Sequence, residues 1–202
     1  MTFLFYSYVL RRGDAVTGKM FVNNITDVLI LFVVVLFVYG DYFFGSGNMM
    51  VMRELYKKWY KDYRKKLWLP PRWLFPIMWA IMYLLIAIAF FVFFRNSYNG
   101  EPDYVVPTIA LLFLFHMMAN KQWSPTFIEA RMTAMAMALC VVLVATAIAI
   151  LVIFGINANY VSWVPFGTFL APVLWYCFAL TLNARVLYVE MSEEDDKKCS
   201  KI

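Results

Sequence analysis

A single histidine, His116, and three cysteines are all that this 202-residue chain offers to metal binding or to imidazole and thiol chemistry. Metal centres need such groups in clusters at ligand spacing. The apolar neighbours of His116 supply no cysteine or carboxylate at that spacing. A histidine satisfied inside a packed interior is therefore expected, and no metal site. Cys140 and Cys177 stand within apolar runs and Cys199 in a charged tail. They suggest small core residues and one surface thiol, with no disulfide framework. No Ser/His/Asp set, glycine-rich phosphate loop or pair of carboxylates within an apolar run appears, which leaves hydrolytic and phosphoryl-transfer chemistry unsupported. No internal repeat supports an inverted-repeat transporter plan. Arg11 and Arg12 follow the apolar stretch at the N-terminus instead of preceding it, unlike the usual signal-peptide layout. Charge is scarce as well: 15% of residues are charged, against about 25% in soluble domains.

What is present in excess is apolar surface. Hydrophobic residues make up 63% of the chain and aromatics 19%, and the mean hydropathy is +0.68. These values describe a polytopic membrane protein. Crossing a bilayer takes about 20 mostly apolar residues. Five stretches qualify, at about 26–44, 73–94, 104–122, 132–154 and 163–184. They divide the chain into an N-terminal tail (1–25), a five-span domain (26–188) and a charged C-terminal tail (189–202), which is expected to be disordered. Asn24-Ile25-Thr26 is a glycosylation sequon, but it abuts the first span and is expected to go unused.

The 18 basic residues are unevenly shared between the two sides. Four lie with the N-terminus: Arg11, Arg12, Lys19 and Arg95. Fourteen lie in the long first loop (Arg53 to Arg72), the third loop and the C-terminal tail. The positive-inside rule then places the C-terminus in the cytoplasm and the N-terminus across the membrane. The net charge of +5 points to anionic headgroups as partners and not to nucleic acid.

The segment 59–83 combines Trp59, Tyr60, Trp68, Pro70, Pro71, Trp73, Phe75, Trp79 and Tyr83 with a run of lysines. Indoles and phenols gather where helices enter a bilayer, and proline suits the first turn of a helix. Further along, His116, Asn120 and Trp123 fall on one helical face, as do Trp175, Ala179 and Asn183. In lipid, polar faces turn inward. Three spans would thus bring indoles, a phenol and carboxamides together, either as plain core packing or as an apolar site with a few polar anchors, which suits a flat, greasy ligand. In the fourth span Ala134/Ala138 and Ala145/Ala149 lie four apart and permit close helix approach, either within the bundle or as the face of a homodimer.

These residues carry a family resemblance. The chain resembles the translocator proteins, also called tryptophan-rich sensory proteins or peripheral benzodiazepine receptors. The family signature W-Y-x-x-L-x-K-P-x-W-x-P-P-x-W-V-F is met in register by Trp59, Tyr60, Lys65, Trp68, Pro70, Pro71, Trp73 and Phe75, followed by Trp79 and Tyr83. Asn120, Trp123 and Ser124 match a second motif, Q-L-x-L-N-x-x-W-S. Trp175, Phe178, Ala179, Leu182 and Asn183 match a third, W-x-x-F-A-x-x-L-N. The motifs span roughly residues 45–188. Departures mark a divergent member: Tyr63 and Lys66 replace a leucine and a proline, His116 replaces the glutamine, and Pro172 sits one place nearer the tryptophan.

The resemblance implies an all-α membrane protein, a five-helix bundle that is often dimeric and binds porphyrins, sterols or benzodiazepine-type drugs between its helices. The implied ligand-binding residues are Trp73, Trp79, Tyr83, Asn120, Trp123, Trp175, Ala179 and Asn183, with His116 in the glutamine's place. No cofactor is obligatory, and porphyrin or haem would be a ligand. The C-terminal sterol pattern is absent, since no cation follows Val186 and Tyr188 within five residues. The expected function is a receptor or carrier integral to a membrane, which would be a mitochondrial outer membrane or another endomembrane if the cell is eukaryotic. The alternatives are a light-dependent porphyrin-degrading enzyme and a scaffold acting through its basic loop.

Overall fold

Six α-helices account for most of the residues described by the computed structural model, which are 25–44, 46–97 and 104–199. They are α1 (Ile25–Phe44), α2 (Ser46–Tyr63), α3 (Leu74–Asn96), α4 (Val105–Ser124), α5 (Thr133–Ile156) and α6 (Val164–Cys199). No strand occurs among the described residues. The N-terminal tail, with Arg11, Arg12, Lys19 and Asn24, lies outside them. By length and composition α3, α5 and the stretch Val164–Asp196 of α6 are able to cross a membrane. The 23 residues of α3 extend about 35 Å, more than the roughly 30 Å hydrocarbon core. The outward face of α3 presents Ile77, Ile81, Leu84 and Ile88, and that of α5 presents Val141, Ile148 and Val152. A surface so apolar belongs in lipid.

Proline and side-chain hydroxyls set the helix ends. Pro71 accepts the Leu74 amide at 2.9 Å, and Pro76 falls in the first turn of α3, where a missing N–H breaks no internal bond. At the other end Ser97 bonds the Phe93 carbonyl, and Asn96 bonds the Val161 carbonyl at 3.1 Å, tying α3 to the α5–α6 connection. Pro125 turns the end of α4 into a wider π turn (Pro125–Glu129), closed by the Ala130 amide on the Pro125 carbonyl at 2.9 Å. Arg131 follows with φ 54, a left-handed conformation that costs a side-chain-bearing residue about 1 kcal/mol or more. Its guanidinium meets Asp62 of α2 at 3.1 Å and helps hold the reversal in place.

The packing order runs α1, α3, α6, α5, α4. Side chains close the ring between α4 and α3, with Phe113 and Phe90 at 4.1 Å between ring centres. The core has two ends. One is rich in phenylalanine, with Phe90, Phe93, Phe113, Phe154 and Phe169. The other is rich in indoles and phenols, with Trp59, Tyr60, Tyr63, Trp123 and Trp175. Trp79 packs against both.

Two expectations change. The C-terminal tail is helical: α6 continues unbroken through Cys199. Its acidic side chains explain this, since Glu190 accepts the Tyr63 hydroxyl and Glu193 pairs with Lys66, so the extension has the first loop to lie against. The first loop is itself mostly the helix α2. The α5 alanines divide between two faces: Ala136 and Ala147 are buried, whereas Ala134, Ala138 and Ala145 face outward.

Candidate functional site

The site lies where α3, α4, α5 and α6 meet beneath α2. α2 covers it because its aromatic side chains bury against the bundle while its lysines stay in solvent. Trp59 is 2% exposed and packs on Phe127 of the π turn at 5.2 Å. Tyr56 leans edge-on to Phe75 at 5.9 Å. Two phenols then fix the proline segment from above: Tyr60 donates to the Pro70 carbonyl at 2.9 Å, and Tyr56 to the Arg72 carbonyl at 3.3 Å. Burial raises the phenol pKa of Tyr56 and of Tyr63 above the ordinary range, and for Tyr63 the hydrogen bond to the Glu190 carboxylate adds to the effect.

Beneath this cover stands a group of three indoles. The ring centre of Trp79 lies 5.9 Å from Trp123 and 6.2 Å from Trp175. Trp123 stacks on Phe127, and Trp175 on Phe178. Ala179 and Asn183 continue the Trp175 face of α6 inward, both buried. Nδ2 of Asn183 donates to the Cys140 sulfur of α5 at 3.0 Å. Among the described residues three wholly enclosed polar atoms have no hydrogen-bond partner: Nε1 of Trp123, Nε1 of Trp175 and Oδ1 of Asn183. The Cys140 thiol also lies against the Trp123 indole, but sulfur is a weak acceptor and does not satisfy that N–H.

Next to the indoles runs a hydrogen-bonded chain across four helices. Tyr83 donates to Oδ1 of Asn120 at 3.0 Å, and Nδ2 of Asn120 donates to the Tyr176 hydroxyl at 2.6 Å. The same hydroxyl lies 3.1 Å from Nε2 of His116, whose Nδ1 is 2.8 Å from the Thr146 hydroxyl. Both ring nitrogens of His116 are thus engaged, and neither is free for a haem iron in this arrangement. Among the described residues no three His, Cys, Asp or Glu side chains converge on a point.

Trp79, Tyr83, His116, Asn120, Trp123, Trp175, Ala179 and Asn183 therefore come together. Trp73 does not. It is 62% exposed at the mouth of α3, beside Trp68 at 72%. The bonds to the Pro70 and Arg72 carbonyls turn Leu69 and Pro70 inward. The two flanking indoles are left outside, at a position suited to the headgroup region.

A family model described as TspO/MBR family matches residues 27–189. The chain belongs to that family. It is accordingly an integral membrane protein with an all-helical fold. It is similar to Protein CrtK of Rhodobacter capsulatus, 28% identical over 67% of this chain and 81% of the relative. It is also similar to the tryptophan-rich sensory protein of Cereibacter sphaeroides, 31% identical over 65% of each chain. A third relative, the tryptophan-rich protein TspO of Bacillus cereus, is 28% identical over 72% of this chain and 86% of its own.

Two residues central to the site in this family member were missed by sequence reasoning. Tyr176 is 1% exposed and bonds both His116 and Asn120. Its signal was its place beside Trp175 with a step of seven to Asn183, which puts all three on neighbouring faces of α6. Thr146, within an alanine-rich run, gave no signal.

Proposed function

We propose that this membrane protein is a receptor or carrier that takes a flat, hydrophobic cyclic ligand, porphyrin foremost, between its helices. One observation carries the reading: three buried polar atoms without partners, from Trp123, Trp175 and Asn183, in one aromatic cluster. A buried polar atom left unpaired costs about 1–3 kcal/mol. A ligand with an acceptor for the indoles and an N–H or O–H for the carboxamide would recover that cost, while Trp79 and Trp175 stack on its rings. Sterols and benzodiazepine-type drugs belong to the same chemical class. The exposed Arg72 and Lys65, near Trp68 and Trp73, suit porphyrin carboxylates or anionic headgroups at the mouth.

In this reading α1, α3, α4, α5 and α6 are the five spans, with the C-terminus cytoplasmic. The membrane is a mitochondrial outer membrane or another endomembrane if the cell is eukaryotic. The outward alanines Ala134, Ala138 and Ala145 form the homodimer face. Contact of Trp79 with two further indoles favours light-dependent porphyrin breakdown as the second reading.

The test titrates protoporphyrin into protein in lipid nanodiscs while following tryptophan fluorescence. Saturable quenching is expected, and Asn183→Leu should weaken binding about tenfold, or roughly 1.4 kcal/mol. Absence of saturable quenching would refute the reading, as would equal affinity in Asn183→Leu and Trp175→Phe.

A further inference from the structure

The hydrogen-bonded chain through the bundle has a direction, and it leads to a tyrosine–imidazole pair that ligand binding by itself does not require. Tyr83 donates to Asn120, and Asn120 donates to the Tyr176 oxygen at 2.6 Å. At the other end Thr146 donates to the Val142 carbonyl at 2.8 Å, so its oxygen accepts from Nδ1–H of His116, also at 2.8 Å. With the proton on Nδ1, Nε2 is the bare acceptor. The Tyr176 hydroxyl, 3.1 Å away, donates to it.

We propose that Tyr176 and His116 form a proton-coupled redox pair that reduces an oxidised indole of the site. Trp79 connects the parts: its ring centre lies 6.2 Å from Tyr176, 5.9 Å from Trp123 and 6.2 Å from Trp175. An electron hole on any of the three indoles has a contiguous aromatic path to the phenol. In the step, an indole radical cation takes one electron from Tyr176. The Tyr176 O–H bond breaks, and its proton passes to Nε2 of His116. The products are a neutral indole, a neutral tyrosyl radical and an imidazolium. One positive charge moves between two buried rings and none is created, which matters in an interior where an isolated new charge is costly. Thr146 keeps its bond to Nδ1–H, and Nδ2–H of Asn120 stays on the phenoxyl oxygen. The oxidant is a photoexcited flat chromophore seated on the indoles, which leaves as its one-electron-reduced form. With no ligand present, ultraviolet ionisation of an indole has the same effect, the electron going to an external acceptor.

That second route makes the test independent of the ligand. Full-length protein in nanodiscs, without added ligand, is flashed in the ultraviolet with a cobalt(III) ammine as irreversible acceptor. Radicals are followed by transient absorption and electron paramagnetic resonance. A tyrosyl signal should grow as the indole radical decays, and more slowly in deuterated water. It should be lost in Tyr176→Phe. It should also be lost in His116→Gln, which keeps a hydrogen bond to the hydroxyl but cannot hold the proton. A tyrosyl signal of full size in either variant would overturn the assignment, as would an absent solvent isotope effect in the wild-type chain. Should Tyr176→Phe fail to fold, His116→Gln and the isotope effect decide between the outcomes.

Discussion

Asn120 and Tyr176 are the pair on which the interior polar chain turns, and a double-mutant cycle measures their coupling. Asn120 is 2% exposed and Tyr176 1%, with 2.6 Å between Nδ2 and the hydroxyl. Asn120→Ala removes the Oδ1 that accepts from the half-buried Tyr83 hydroxyl and removes one donor from Tyr176. Tyr176→Phe leaves Nδ2 of Asn120 and Nε2 of His116 unpaired. Each single change takes hydrogen bonds from two groups of the chain, and a lost partner costs a buried group about 1–3 kcal/mol, so about 2 kcal/mol is expected for either. The double variant lacks both partners and should cost about 3 kcal/mol, a coupling of about 1 kcal/mol. Interhelical hydrogen bonds in membranes average about 0.6 kcal/mol in such cycles and reach about 1.7. The upper half of that range is expected here because both groups are enclosed. Cys140 supplies the assay. It is a buried free thiol, so with Cys177 and Cys199 changed to serine its labelling by a thiol-reactive dye reports unfolding directly. Each kcal/mol corresponds to roughly 2–4 °C at this chain length. Additivity within about 0.3 kcal/mol would show that the two residues do not share one network, and the reasoning on proton direction would fail with it.

Asn183→Leu, which removes the unpartnered oxygen while nearly keeping volume, should leave thermal stability unchanged or raised even as it weakens porphyrin; a clear loss of stability would mean the carboxamide is structural. Lys66→Glu should expose the α6 extension to protease, and the reversed pair Lys66→Glu/Glu193→Lys should restore protection; the stability change itself should stay within about 1 kcal/mol, as for surface pairs. The Tyr63 pKa is raised in the folded protein, so its contact with Glu190 contributes fully below the unfolded value of about 10 and is lost only as pH rises beyond it; the protection factor of the extension's amides, exchange corrected for its intrinsic pH dependence, should therefore stay flat from neutral pH to pH of about 10 and then fall. Phe127→Ala removes a ring that packs on both Trp59 and Trp123 and should cost about 3–5 kcal/mol, with detachment of α2 visible as greater exposure of Trp59.

Much of the architecture follows from local rules and was therefore legible in the chain. Apolar length, prolines and flanking charge are properties of short segments, and the helices α1, α3, α4 and α5 overlie stretches that hydropathy marks to within two residues. The steps of three and four that align His116, Asn120 and Trp123, or Trp175, Ala179 and Asn183, are likewise local, because one helix fixes them. In lipid a polar face has only the interior to turn to, so the inward direction of these residues was legible too.

What the sequence left open concerns pairing between segments far apart in the chain. Trp73 satisfies the family pattern as well as Trp79 does, yet bonds from α2 to the Pro70 and Arg72 carbonyls, 10 and 16 residues from their donors, turn it outward. The acidic end reads as a solvated tail until Tyr63, 127 residues away from Glu190, gives it a partner. Thr146 carries no signal of its own, and Tyr176 only its step of seven to Asn183; the meeting of α4, α5 and α6 makes them the two ends of a histidine's hydrogen bonds. Periodicity assigns a residue to a face, but which polar atoms on that face find partners, and which three are left without, is decided by the crossing of helices.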